Sequence, residues 1–454
     1  MMSFTTRRSK PELVVPSRPT PHETKHLSDL DNLRNHHEYT AVVCFFRSAG
    51  RMPKDTAKAI RAALAEALVY YYPVAGRLRE LPGGKLAVEC TQEGVVFVSA
   101  EADLELQELK PLVLPFPCDG ELVCDNVGDV GVVLGKPLFF MQVTQFKCGG
   151  FALGLHIMHC IADAFGWSQF MKAVADLAHG EPAPLVLPVW QREFLTARSP
   201  PNIADAYQAF QPLVEGTGVH DALQSTPLDT MACRSFLFGR REIAALRSHI
   251  VVPANLRQRC TDFDVLAAVT WLCRTAALGY EPSQKVYLYF PSNAHGGRRK
   301  GFLRVPRGYY GNALLYRILG VAAGELRAGG LRRAVEIVCE GKGGLSPEYA
   351  RSTVDLLASL RGRRLLFDGV FVVSDVTEFV GDGLDFGWGE WAGGGVVGPK
   401  LASFHTRCKD ADGEESVVVS MVLPDVIMEK FQEELAVWLN GDGKNGRRLP
   451  RSAL

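Results

Sequence analysis

The sequence predicts an α/β protein of two domains, and three observations carry that reading. The chain has 454 residues, well beyond the ~250–300 at which a single core stops growing. Short strand-like runs alternate with helical patterns along its length, the mark of mixed α/β layers. Residues 180–202 (GEPAPLVLPVWQREFLTARSPPN) hold five prolines, a stiff extended segment that no regular element accommodates. The expected division is an N-terminal domain over 1–185, a crossover connector over 186–225 and a C-terminal domain over 226–454.

The individual elements support this division in chain order. Residues 54–72 carry Ile60, Leu64 and Leu68 at helical spacing, and Pro73 stops that helix. Residues 138–147 and 151–158 read as two strands joined by a hairpin-like turn at Cys148-Gly149-Gly150. In the second strand Phe151, Leu153, Leu155 and Ile157 share one face, and His156 and Met158 the other. A helix opens near Gly166 with Trp167, Phe170, Met171, Val174 and Leu177 as its apolar stripe. A second α/β segment begins near Phe236, and Thr261 is placed to cap a helix over 262–277.

Composition narrows the partners. Fifty basic and fifty acidic residues cancel, which argues against nucleic acid as the main partner. Eleven cysteines are scattered without a CxxC pair, which reads as reduced thiols in an intracellular protein, with neither a disulfide framework nor a metal site. No apolar run reaches the ~18 residues of a membrane span, and the basic N-terminal stretch lacks the apolar core of a secretory signal. The expected compartment is the cytoplasm. The terminal Arg451-Ser-Ala-Leu454 is close to the peroxisomal S-K-L address but lacks its lysine, which makes the peroxisome the alternative.

The chemistry concentrates in His159-Cys160-Ile161-Ala162-Asp163. With eleven histidines in the chain, an H-x-x-x-D spacing arises by chance roughly half a time, so spacing alone decides nothing. Position decides more. His159 ends a strand, and a turn of small residues leads from it into a helix, where α/β proteins tend to build ligand sites. A neutral imidazole there can take the proton of an attacking hydroxyl, worth roughly 10²–10⁴ in rate. The competing readings are a structural histidine, a His156/His159 metal pair lacking a third ligand, and a Cys160–His159 dyad, which adjacent residues rarely form.

Five blocks, taken together, resemble the BAHD acyltransferases. His159-Cys-Ile-Ala-Asp163-Ala-Phe-Gly166 is similar to that family's H-x-x-x-D block, and Asp385-Phe-Gly-Trp-Gly389 matches its second signature letter for letter. Tyr72-Pro-Val-Ala-Gly-Arg-Leu78, Trp271-Leu-Cys-Arg-Thr275 and Gly308-Tyr-Tyr-Gly-Asn312 agree as well, all in the family's order and across most of the chain. Four further segments resemble the benzyl alcohol O-benzoyltransferase branch: residues 20–29, Leu187-Pro-Val-Trp-Gln-Arg-Glu193, Val373-Ser-Asp-Val-Thr377 and Met428-Glu-Lys-Phe431.

The resemblance implies two chloramphenicol-acetyltransferase-like domains, each a mixed sheet flanked by helices, with a channel between them. Acyl-CoA would enter from one side and an alcohol from the other, meeting at His159 as general base. No cofactor is held permanently, no metal is needed, and a monomer is expected. Benzoyl-CoA and benzyl alcohol are the first substrate pair, giving benzyl benzoate. The alternatives are another donor or alcohol of the branch (anthraniloyl or acetyl; methanol or an aliphatic alcohol), an acyl-CoA hydrolase, and a non-catalytic binding protein. Asp163 is implied to point away from the substrates and to brace the turn through a salt bridge, while Asp385 and Trp388 are implied to be structural.

The chain departs from the family pattern in two places. The arginine expected before the Tyr-Tyr-Gly-Asn block is replaced in Asn293-Ala-His295, so either His295, Arg298 or Arg299 is the side-chain partner of Asp163 or the salt bridge is absent. Where relatives carry Ser-Trp, this chain has Ser374-Asp375. A carboxylate would repel an oxyanion, so Ser374 and Thr377 are the candidate oxyanion donors. The cationic run that includes Arg298, Arg299 and Arg304 reads either as a solvated loop or as a clamp on the CoA phosphates.

Overall fold

The computed structural model describes residues 4–50, 53–109, 112–116, 119–124, 132–219, 222–250, 260–294, 305–343, 346–379, 383–398, 401–409 and 414–440. In the first half its strands are β1 (Thr6–Arg8), β2 (Glu12–Val14), β3 (Thr24–His26), β4 (Tyr39–Ser48), β5 (Arg77–Glu80), β6 (Leu86–Glu89), β7 (Val95–Ala102), β8 (Phe139–Gln145) and β9 (Phe151–Met158). The second half adds β10 (Ala232–Phe238), β11 (Lys285–Asn293), β12 (Leu314–Ala322), β13 (Val370–Asp375), β14 (Gly389–Val397), β15 (Ser403–Lys409) and β16 (Glu415–Leu423).

These strands form two large mixed sheets and one small one. The first runs β1-β7-β8-β9-β4-β14, with β2 also on β7; the second runs β10-β16-β15-β13-β11-β12; the third is β3-β6-β5. Each large sheet has its own apolar core. Phe46, Phe139, Phe151 and Phe170 anchor the first, and Trp271, Phe290, Phe371 and Phe431 the second. The α/β architecture of two sheet-containing units is the one the sequence predicts.

Local chemistry explains the elements nearest the site. The helix Thr56–Tyr70 starts where Asp55 accepts the Lys58 amide, and it buries Ile60, Leu64 and Leu68. Pro73 sits in the 3-10 turn Tyr72–Ala75 that follows. β8 and β9 pair antiparallel with Gln145 opposite Phe151, closing the hairpin at Cys148-Gly149-Gly150. The helix Ala164–His179 buries Trp167, Phe170, Met171 and Val174. Asp262–Leu278 begins with Thr261 and Asp264 in a reciprocal capping box.

One strand crosses the division drawn from the sequence. β14 belongs to the second half of the chain, yet it pairs antiparallel with β4 in the first sheet. Asp385–Gly389, which leads into β14, therefore packs with the first sheet although it lies late in the sequence. Among the described residues no helix is long and apolar enough to cross a membrane. Residues 451–454, with the predicted address, lie outside the described residues.

Candidate active site

His159 stands one residue beyond β9, in the turn that enters the helix Ala164–His179. Its main chain is fixed at both ends. The His159 amide donates to the Glu38 carbonyl over 3.0 Å, and the Asn312 side-chain amide donates to the His159 carbonyl over 2.8 Å. Nδ1 of the ring is buried, so Nε2 is the nitrogen left to the cavity that the ring lines. Cys160 is fully buried and burial pushes its thiol well up. It makes a poor nucleophile.

Asp163 caps the helix that follows. One carboxylate oxygen accepts the Gly166 amide over 3.0 Å, and the other accepts the Ala313 amide over 2.9 Å. The second bond ties the turn to residues just before β12, on the other sheet. Of the side-chain partners expected for Asp163, His295, Arg298 and Arg299 lie outside the described residues, as does Arg304.

A second carboxylate, Asp31, organises the same turn from behind. It accepts the backbone amide and the hydroxyl of Ser28, and the backbone and side-chain amides of Asn312. Its cationic partner is Arg192, at 3.3 Å. Arg192 in turn donates to the Ile161 carbonyl over 2.8 Å. Burial of its guanidinium opposes the charge most strongly of any one influence, but Asp31, Tyr309 and Tyr310 together outweigh it and hold the group protonated. The rings of Trp190, Tyr309 and Tyr310 surround it at 4.2, 5.2 and 5.1 Å.

This hub gives two sequence blocks a physical reason. A Cβ on Gly311 would fall on the guanidinium of Arg192, so the glycine of the Tyr-Tyr-Gly-Asn block makes room for it. The connector around Leu187–Glu193, expected as a plain crossover, delivers Arg192 into the interior. Both blocks stand out in the sequence, but patterning alone assigns no role to Asp31, Arg192 or Asn312. A charged residue flanked by aromatic and proline neighbours in a connector was the available signal.

A cavity of about 270 Å³ lies between the two large sheets beside His159. β4, β9 and the helix Ala164–His179 form one wall, and β11, β12, β13 and β15 contribute the other. Most of the lining is apolar. His36, Glu38, Thr40, Ser168, Tyr289, Tyr316 and Ser374 bring polar groups to it, and among the described residues Glu38 and Asp163 are its carboxylates. Burial pushes the Tyr316 hydroxyl up, so it stays protonated and able to donate.

The remaining predicted residues fall in different places. Ser374 lines the cavity. Thr377 is absent from that lining, and both its amide and its hydroxyl donate to Asp375, at 3.1 and 2.7 Å. Asp375 itself is exposed. Asp385 accepts the Gly387 amide over 2.7 Å and closes a turn in which Gly387 adopts φ +74°, a conformation glycine reaches without strain. Trp388 packs on Phe151 and Phe386 at 5.3 Å each, outside the cavity lining. His156 meets Phe140 edge-on and is likewise outside it.

A second hollow, of about 960 Å³, adjoins the first and shares Ser168 and Phe379 with it. Lys172, Arg307 and Arg407 line it, together with Asp176 and Glu378. Elsewhere, Cys260, Asp264 and Cys339 bring potential metal-ligand atoms within 4.8 Å of one another. Asp264 there accepts the Thr261 hydroxyl and pairs with Lys342, which accounts for its burial without an ion.

Residues 2–437 match the family described as Transferase family. The chain is 49% identical to Acyl transferase 1 of Oryza sativa subsp. japonica, with both chains covered in full. It is 45% identical to spermidine hydroxycinnamoyltransferase 1 of the same plant, covering 94% of this chain and 98% of that one. Identity to the benzyl alcohol O-benzoyltransferase of Petunia hybrida is 41%, over 97% and 95% of the two chains. Among solved structures, vinorine synthase superposes with a TM-score of 0.71 at 18% identity, over 96% of this chain and 98% of that one. TRI101 of F. graminearum complexed with ethyl coenzyme A gives 0.64 at 14%, over 91% and 97%.

Proposed function

Because this chain belongs to the Transferase family of BAHD-type, acyl-CoA-dependent acyltransferases, we propose that it esterifies an alcohol from an acyl-CoA donor with His159 as general base. The observation that carries this reading is the placement of His159, whose ring lines a largely apolar cavity between two sheets while its main chain is tied down on both sides. Benzoyl-CoA and benzyl alcohol are the first substrate pair, supported by the Petunia relative and by the apolar lining.

The reaction is a direct transfer. His159 Nε2 takes the hydroxyl proton as the alcohol oxygen attacks the thioester carbonyl. The C–S bond of the tetrahedral intermediate then breaks, and His159 returns the proton to the departing thiolate. Ester and free CoA are the products. Ser374 is the candidate donor to the oxyanion, since it reaches the cavity wall while Thr377 is engaged by Asp375. The adjoining hollow, with Lys172, Arg307 and Arg407, offers the phosphates of CoA a cationic lining. Arg298, Arg299 and Arg304 belong to the same cationic stretch of sequence.

An amine acceptor is the second reading. Among the described residues, Glu38 and Asp163 are the carboxylates of the cavity lining and no lysine or arginine lines it, and the 45% relative is named a spermidine hydroxycinnamoyltransferase. Thiol release from a panel of acyl-CoAs separates these readings. Turnover with benzyl alcohol supports the ester product, and turnover with spermidine supports the amide. Release that needs no acceptor at all would identify a hydrolase instead.

A further inference from the structure

The turn that carries His159 is held through its backbone, and among the described residues no hydrogen bond reaches the imidazole itself. Nδ1 is buried without a hydrogen-bond partner. The two oxygens of Asp163 accept the main-chain amides of Gly166 and Ala313. What meets the ring is the face of His36. The two centroids are 4.3 Å apart and the planes lie 11° from parallel.

His36 is itself fixed at both nitrogens. Its Nδ1 lies 3.0 Å from the Leu30 carbonyl, which can only accept, so the proton sits on Nδ1. Its Nε2 lies 3.0 Å from the Tyr316 hydroxyl, which donates to it. The ring is therefore a neutral imidazole of one tautomer, packed in the 3-10 turn Arg34–His36 and buried. Burial first, and the neighbouring His159 second, hold its pKa well below the usual histidine range.

We propose that His36 is the positioning residue of the base: its anchored, neutral ring face sets the orientation of His159 and receives the imidazolium as it forms. The idea rests on the reading of His159 as general base. A triad carboxylate orients its histidine in the ring plane, through Nδ1–H; here a stacked ring face takes the orienting role from above the plane. A cation over a neutral aromatic face is favoured, whereas two stacked cations would repel, so the locked neutrality of His36 matters as much as its position. Among the described residues, the titratable and charged groups around the pair are Tyr316 on β12, Tyr289 on β11, Asp31 and His37 in the N-terminal loop, Glu38, Asp163, and Arg192 behind the turn.

The test compares wild type with His36→Leu, His36→Phe, Tyr316→Phe and His159→Ala, measuring kcat, KM for acyl-CoA and the acid limb of kcat against pH. His36→Leu is expected to lower kcat by about 10- to 100-fold with KM within about twofold, because orientation and not binding is lost. It also moves the acid limb down by about half a pH unit, as the imidazolium loses its favourable face. His36→Phe, which restores a face, recovers most of both, and Tyr316→Phe shows a smaller loss in the same direction.

Wild-type behaviour supplies a readout that does not depend on any variant folding. Histidine-selective NMR is expected to show the His36 ring staying neutral well below the usual histidine range. A His36 ring that takes up its proton in the ordinary histidine range would overturn the proposal. So would a His36→Leu enzyme with wild-type kcat and acid limb, or His36→Phe as impaired as His36→Leu. Substantial turnover by His159→Ala is a different failure: it removes the general-base reading itself.

Discussion

Arg192 Nη1 stands 3.3 Å from Asp31 Oδ2, with the two side chains 2% and 0% exposed, and between them they grip the turn that carries His159. Removing either partner leaves a buried charge uncompensated, which commonly costs about 3–5 kcal/mol. Arg192→Met and Asp31→Asn should each lower urea-unfolding stability by that order. The double variant should recover part of the loss. A change below about 1 kcal/mol in both single variants would contradict the hub.

Gly311→Ala tests the same hub without removing a charge. The added methyl lands on the Arg192 guanidinium, which must shift off Asp31 or off the Ile161 carbonyl. Overpacking of this kind typically costs about 1–3 kcal/mol. The same variant should lower kcat by about tenfold or more through the displaced turn. Thermal unfolding and steady-state rates check both effects.

Much of this arrangement was legible in the sequence wherever the signal was local. The β8–β9 hairpin, the stripe of the helix Ala164–His179 and the Thr261 cap depend on residues within one or two turns of each other, and they stand where patterning predicts. The contacts that finish the site are long-range. Asp163 meets Ala313 at a separation of 150 residues, and Asp31 meets Asn312 at 281. No periodicity announces such pairs. Nor does it announce that β14 returns to pair with β4, or that two histidines from different segments stack.

Ser374 and Thr377 are separated by where their hydroxyls go. Ser374 lines the cavity, and Thr377 donates to Asp375. Ser374→Ala should reduce kcat by about 10²–10³, the usual cost of one oxyanion donor. Thr377→Val should reduce it far less. Equal losses, or the reverse order, would reassign the donor.

Acid should destabilise the fold through histidines that are buried neutral. Burial holds His36 well below the usual range and brings His37 to about 4. His405 is also brought to about 4 by burial, against the opposing pull of Asp375. Unfolded, each binds a proton below about 6.5, so the unfolded chain holds more protons there. The stability they contribute is complete above that pH and is lost as pH falls toward 4, at up to ~1.4 kcal/mol per pH unit per histidine. Urea titrations at pH 7.5, 6 and 5 should show the fall, and His405→Phe should flatten it. A curve level from pH 7.5 to 5 would contradict these assignments.

The central claim is that His159 moves the proton. The most direct measurement is kcat of His159→Ala against wild type with saturating acyl-CoA and acceptor, with folding verified by circular dichroism. A folded variant that loses about 10²–10⁴ in kcat, with KM for acyl-CoA little changed, is the predicted result. A folded His159→Ala enzyme turning over within about tenfold of wild type would contradict it.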